Sequence, residues 1–356
     1  MAKSISHRPP PFYLLRKVFQ PRELVILAVL AVELVVFWVL SPLVTDNHRQ
    51  FVTLPTIMGQ AQFVSLIGIA AVGTALVILT GGIDLSVGTT LGLTAVAASV
   101  LFSRPDVQLP APLLALLVLG VPLVVGLING AVIAYLEIPP FIVTLGMMSV
   151  TTGLALLWTN GANVPASGTP FHLDVKGLLG AMNWKYPQGA ESVVSTGLVV
   201  MVVLALVTAF ALHAMPLGRH LLAVGGGEEA ARHAGVRVAR VKLFAYVASA
   251  LTAGIAGLFY VAYYGGANSG VGPGKELSII AAAVVGGVSL SGGKGSPLGA
   301  LVGALIVQLL DGGMVFMGYP KANSQIAQGI FIILAIVVDR LLARIGTAMA
   351  ARRRLA

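Results

Sequence analysis

Apolar residues fall in runs of about twenty along most of the chain, the length of helix a bilayer core requires. Runs at 24–44, 61–80, 85–103, 112–136, 139–158 and 193–214 come first, and runs at 242–264, 277–291, 297–317 and 324–343 follow. They predict an all-α, polytopic transmembrane helix bundle of about ten spans. The alternating short segments of a membrane barrel do not accompany them. The runs at 85–103 and 277–291 are short and glycine-rich, a pattern that fits broken or partly inserted helices as well as full crossings. The first run is too long for a secretory signal and lacks a small-residue cleavage site, so it is expected to stay as a membrane helix. Glu33 lies near its middle, where an ionisable group faces protein or water rather than lipid.

The polar segments complete the plan: a lead at 1–23, a transmembrane domain at 24–343 and a basic tail at 344–356. One long charged interruption, 216–242, divides the membrane domain. It carries Arg219, Arg232, Arg237, Arg240 and Lys242 against Glu228 and Glu229. Its core reads as a short helix that starts at the two glutamates, after three glycines, and stops at Gly235. Two readings of it stand: a loop that merely fixes orientation, or a handle that another protein pushes on. The loop at 159–192, with Trp158 and Trp184, reads equally as a small cap or a solvated connector.

Charge predicts the sidedness. With both ends inside, sixteen of the 22 Lys and Arg residues face the cytoplasm, and Arg49, Arg104, Lys176, Lys185, Lys275 and Lys321 face outward. The composition, 57% hydrophobic and 10% charged, excludes an ordinary soluble domain, which is about a quarter charged. The net charge of +9 would raise nucleic acid as a partner of a soluble protein. Here membrane orientation accounts for it, and no nucleic-acid partner is expected. With no cysteine, disulfides and thiolate chemistry are absent.

Two glycine-rich octapeptides resemble each other: Gly81-Gly82-Ile83-Asp84-Leu85-Ser86-Val87-Gly88 and Gly286-Gly287-Val288-Ser289-Leu290-Ser291-Gly292-Gly293. They predict an internal duplication, parallel if six spans separate the copies and inverted if five do. Paired glycines let the backbone leave a helix at membrane depth. Asp84 sits on the first break, suited to capping the next helix through Ser86 and the backbone amides, with substrate contact the lesser reading. Gly88/Gly92, Gly126/Gly130, Gly295/Gly299 and Gly299/Gly303 have the spacing of closely packed membrane helices. Polar positions at depth give pathway candidates: Asn129, Thr144, Ser149, Thr151 and Thr152. Each is also a common helix-packing group.

Catalytic patterns are missing. Gly292-Gly293-Lys294-Gly295 lacks both the leading glycine and the Ser/Thr of a phosphate loop. The six histidines have no metal spacing, so no metal site is expected, and no nucleophile elbow is present. An ion-coupled transporter needs few charges and remains an alternative class.

Three stretches in order carry a resemblance: GGIDLSVG, GRHLLAVGGGEEAARHAGV, and IIAAAVVGGVSLSGGKGSPLGALVGALI. Together they are similar to bacterial ABC-importer permeases of the ribose/xylose/arabinose class, within the branched-chain-amino-acid-like permease superfamily. The resemblance spans roughly 55–343. It implies a transport subunit of the inner membrane rather than an enzyme, translocating a monosaccharide. Its implied partners are a second permease subunit, a cytoplasmic ABC ATPase that binds the ATP and Mg, and a periplasmic binding protein. The chain itself would bind no cofactor. Gly218, Arg219, Gly225, Glu228, Ala231 and Gly235 match the family's ATPase-coupling pattern. Gly81, Gly82, Asp84, Ser86, Asn129, Gly286 and Gly287 are the helix-break and pathway candidates. Sugar permeases often carry Asn where this chain has Gly227, which leaves the solute open among sugars, nucleosides, furanose signals and branched-chain amino acids.

Overall fold

The computed structural model describes residues 21–45, 48–107, 109–165, 171, 173–183, 185–186, 194–334 and 337. The lead before residue 21, the basic tail, Trp184 and Glu191 lie outside the described residues. Seven described helices are long and apolar enough to cross a membrane. They are α1 (Pro21–Val44), α3 (Ala61–Leu79), α5 (Ala111–Tyr135), α6 (Pro140–Thr159), α8 (Thr196–Ala214), α11 (Val238–Tyr264) and α13 (Pro297–Phe316). Shorter helices complete the bundle: α2 (Leu54–Gly59), α4 (Val87–Phe102), α7 (Leu173–Met182), α9 (Pro216–Gly226), α10 (Glu228–His233) and α12 (Lys275–Val285). A final helix, α14, covers 321–334. The chain is an all-α polytopic membrane protein.

Helices α3 and α11 form the middle of the bundle, and α11 packs along α3, α4 and α5. Glycine makes this closeness possible. A methyl at Gly126 would meet the Val247 Cα at 2.8 Å, and one at Gly130 the Leu243 Cα at 3.0 Å. On the other flank Gly299 and Gly303 lie against the backbone of Gly286 and Ala282. Backbones that touch in this way gain dispersion contacts where lipid offers no hydrophobic drive. By contrast α6 keeps Phe141, Ile142, Leu157 and Trp158 on its outer face, as a lipid-facing or partner-facing helix must.

Both short spans are half-helices. Asp84, just before α4, bonds Ser249 in the middle of α11, so α4 begins deep in the bundle. The segment after α11 dips in from the opposite end, and Val271 and Gly272 pack against Gly88 and Gly92. From there α12 runs the other way. The expected span at 277–291 is thus an eleven-residue helix, Lys275–Val285, followed by an irregular break. Glycines 287, 292, 293 and 295, all with positive φ, allow that break.

The duplication is present, but its partner segment is different. Gly81–Gly88 corresponds to Gly265-Gly266-Ala267-Asn268-Ser269-Gly270-Val271-Gly272. Asp84 accepts a bond from the Ser86 amide at 3.0 Å, and Asn268 accepts one from the Gly270 amide at 2.8 Å, the same turn in each copy. Asn129-Gly130 on α5 then matches Asp311-Gly312 on α13. The copies are α3 to α6 and α11 to α14, five spans apart and therefore inverted. The octapeptide at 286–293, six spans from the first, is not its equivalent. Instead the two touch: a methyl at Gly292 would meet the Gly81 amide at 3.0 Å, and the Gly293 amide donates to the nearby Leu79 carbonyl at 2.9 Å.

Two ends can be told apart. One carries α9, α10, the break at 286–296 and a cluster of Ile26, Val285 and Phe331. The other carries the pairing of Val164 with Ala267. There the loop after α6 folds: α7 buries Leu179, Phe171 meets Phe102 edge-on at 6.5 Å, and a hairpin pairs β1 (Lys185–Tyr186) with β2 (Val194–Ser195). This is a cap rather than a bare connector. Glu33 of α1 is turned inward, both carboxyl oxygens without a partner among the described residues.

Candidate functional site

The first helix break holds a buried polar cluster. Asp84 is 2% exposed. Its Oδ1 accepts from the Ser86 amide and hydroxyl at 3.0 and 2.7 Å, and its Oδ2 accepts from Ser249 at 3.0 Å. Asn129 donates to the Ser86 hydroxyl at 2.9 Å. Gly81, with φ of +82°, makes the turn. A side chain at Gly82 would strike the Tyr246 hydroxyl at 2.5 Å, and that hydroxyl donates to the Ile83 carbonyl at 3.3 Å. The freed Ile83 carbonyl of the break is therefore satisfied from α6 and α11, since Thr144 also reaches it at 3.5 Å. Burying a polar group at depth is tolerated only with such partners. Of the remaining pathway candidates, Thr151 bonds Thr89 at 2.7 Å and Thr152 bonds its own helix at 2.7 Å. Ser149 is exposed.

The charged segment is two helices, not one. The three glycines argue for a loop, yet α9 runs through Gly225 and Gly226, with Pro216 in its first turn and Leu221 and Val224 buried. The chain breaks only at Gly227, and α10 begins at Glu228. Gly218 lies on the Leu212 carbonyl, where α9 turns back against α8. Gly225 lies against the Leu79 carbonyl, and a methyl there would also meet the Gly293 amide at 2.5 Å. Gly292 in turn faces the carbonyl of Gly225 and the amide of Gly81. One face of α9 thus rests on both helix breaks at once, at Leu79 where the first begins and at Gly292–Gly293 within the second.

Ala231 is buried and Gly235, with φ of +83°, ends α10. Arg219 is exposed. Glu228 bonds Lys242 at 2.6 Å and Arg232 at 3.2 Å, and Arg232 reaches Glu137 at 3.3 Å. Partial burial raises the Glu228 carboxyl, but the bond and charge of Lys242, and then Arg232, outweigh it and hold it below the ordinary 4.5. The network ties α10 to the start of α11 and to the α5–α6 turn.

A cavity of about 530 Å³ lies toward the other end, between α3, α11, α12, α13 and α14. Tyr260, Tyr264, Gln60, Gln308 and Lys275 line it. Sequence reasoning did not find these residues. The one signal was a pair of tyrosines four apart, just before the Gly265–Gly266 break.

A helical membrane bundle with paired half-helices and a charged hinge on its breaks is the architecture of a transport subunit. The family described as branched-chain amino acid transport system / permease component matches residues 56–336, and the chain belongs to it. Among its relatives, the ribose import permease protein RbsC of Escherichia coli (strain K12) is 37% identical over 307 residues, 86% of this chain and 92% of that one. RbsC of Bacillus subtilis (strain 168) is 34% identical over 85% of this chain and 90% of its own length. The fructose import permease protein FrcC of Rhizobium meliloti is 34% identical over 78% of this chain and 76% of its own. No solved structure matches significantly.

Proposed function

We propose that the chain is the membrane-spanning subunit of an ATP-driven importer for a monosaccharide, a ribose-like pentose or a hexose. Relatives named for ribose and fructose import, alike over most of their length, support the substrate class. In this reading a second permease subunit completes the pathway in the inner membrane. A periplasmic binding protein delivers the sugar, and both termini are cytoplasmic. The power comes from a separate cytoplasmic ATPase that holds the ATP and Mg; this chain contributes no catalytic residue.

The observation that carries the reading is the seat of α9. An ATPase that grips α10 and displaces α9 acts on the Leu79 and Gly293 backbones directly, with no side chain between to absorb the movement. The motion shifts an inward–outward equilibrium to the extent that the contacts of α9 with the two breaks differ between states.

Two variants test the role of α10: Glu228→Lys, and deletion of 228–235. Each is expected to abolish co-purification of the ATPase and ATP-dependent uptake while the membrane helices stay folded by circular dichroism. Undiminished association with normal uptake removes the coupling role. Uptake into vesicles by this chain alone, without ATP, points instead to an ion-coupled transporter.

A further inference from the structure

The inverted halves are equivalent in backbone but not in what fills them. In the first, the space beside the break is sealed by Asp84, Ser86, Asn129 and Ser249 bonded to one another. In the second, the corresponding space is open, and it is the 530 Å³ cavity, with Gly270, Val271, Asp311 and Gly312 on its wall. Asp311 does not close it as Asn129 does. It turns instead to Lys321 and accepts from Ser324 at 2.6 Å.

The side chains differ in the same sense. Pairing Gly81–Gly88 with Gly265–Gly272 sets Leu76, Thr80 and Leu91 opposite Tyr260, Tyr264 and Lys275. Positions that are apolar or small in the sealed half are aromatic or cationic in the open one. We propose that this cavity is a binding site on the permease itself for one neutral monosaccharide. Its ring lies on Tyr260 and Tyr264, and its hydroxyls are met by Gln60, Gln308 and Lys275. The inference rests on the importer reading and adds a place where the sugar rests on its way through.

The chemistry fits that class. Tyr260 and Tyr264 are stacked on each other, centroids 4.4 Å apart and planes 28° from parallel, a mutually supported aromatic pair whose outer face and edges can take the C–H face of a sugar. The Gln308 amide donates to the Gln60 carbonyl at 3.2 Å, which leaves each side chain further donor and acceptor capacity toward hydroxyls. The Lys275 ammonium sits 5.7 Å from the Tyr260 ring centre and pairs with no carboxylate among the described residues. Asp311 is already matched by Lys321, so Lys275 rests over the Tyr260 ring with its N–H groups left to donate to hydroxyls, and an anion is the competing ligand class. The volume lies within the roughly 300–1,000 Å³ of small-molecule sites.

Saturation-transfer NMR on the purified full-length chain in detergent, with D-ribose, D-fructose and D-glucose as probes, tests the site. ATP-driven uptake into vesicles by the complete complex runs beside it. Tyr260→Leu and Gln308→Leu roughly conserve volume; size-exclusion profile and ATPase co-purification check their folding, and Lys275→Gln replaces any variant that fails. A saturable signal from at least one sugar is expected, weakened about fivefold or more in these variants. Ser103→Ala, at the end of α4 with its hydroxyl on the Ser99 carbonyl and off the cavity wall, keeps the full signal. No sugar signal, or one indifferent to the substitutions, overturns the cavity site while wild-type uptake still upholds the importer. A stronger signal from D-gluconate than from any neutral sugar overturns the neutral class. Wild-type vesicles that take up none of the sugars overturn the importer reading, and the NMR signal then judges the cavity alone.

Discussion

Substituting alanine at Gly225 isolates the contact between α9 and the helix breaks. The added methyl would overlap the Leu79 carbonyl and lie 2.5 Å from the Gly293 amide, where ordinary contact begins near 3.4 Å. Both obstacles are backbone, so neither swings aside, and α9 must retreat by about 1.5 Å to reach ordinary contact. Overpacking of this kind costs roughly 1–3 kcal/mol. The displacement is comparable to the shifts of about 1–2 Å by which packed helices switch state. Gly225→Ala should therefore hold the coupling segment partly away from both breaks. The assay is ATP hydrolysis and sugar uptake by the reconstituted complex, with and without loaded binding protein. Uptake should fall about tenfold or more, and hydrolysis should lose its response to the binding protein, while the ATPase still co-purifies through α10. Gly226→Ala is the internal control: a methyl there meets nothing within 4 Å. It should be neutral, or stabilising by about 0.4–1 kcal/mol through the unfolded chain. Normal transport by Gly225→Ala, or equal damage from Gly226→Ala, would refute the reasoning.

Asn129→Ala removes the donor that closes the Asp84–Ser86 cluster and should cost about 1–3 kcal/mol, read as a lowered melting temperature in detergent, whereas Thr152→Ala should change it little. The Glu228 pairs add stability that is complete above its ordinary 4.5 and lost as pH falls through its lowered value. Glu228→Gln should thus destabilise at neutral pH by at most about 1 kcal/mol, the pairs being half exposed, with wild type and variant converging in acid in the same melting assay. Gly82→Val should push Tyr246 off the Ile83 carbonyl and destabilise by about 1–3 kcal/mol; a melting curve matching wild type would count against the packed break.

Run length alone located every long helix, because a bilayer leaves the chain few other choices. The broken nature of 85–103 and 277–291 was also legible, in their glycines. What the sequence hid was pairing. GGIDLSVG shares more letters with GGVSLSGG than with GGANSGVG, yet the geometric partner is the latter, because the turn needs an Asp or Asn side chain and not a shared letter. The helix α9 was hidden as well: Gly225 and Gly226 weaken a helix by intrinsic propensity, and only burial of Leu221 and Val224 against the membrane helices restores it. The cavity was out of reach for a plainer reason. Tyr260, Lys275 and Gln308 come from three helices and Gln60 from the α2–α3 turn, and no local pattern joins them.

At the heart of the bundle Gly88, Gly92 and Gly272 meet main chain to main chain. Such a joint has no rotamers to turn and no slack to take up. Half-helices that rock on this point, pressed together rather than crossed, would widen one mouth of the protein only by narrowing the other. Alternation between the two faces of the membrane would follow from that fulcrum, without a separate latch to enforce it.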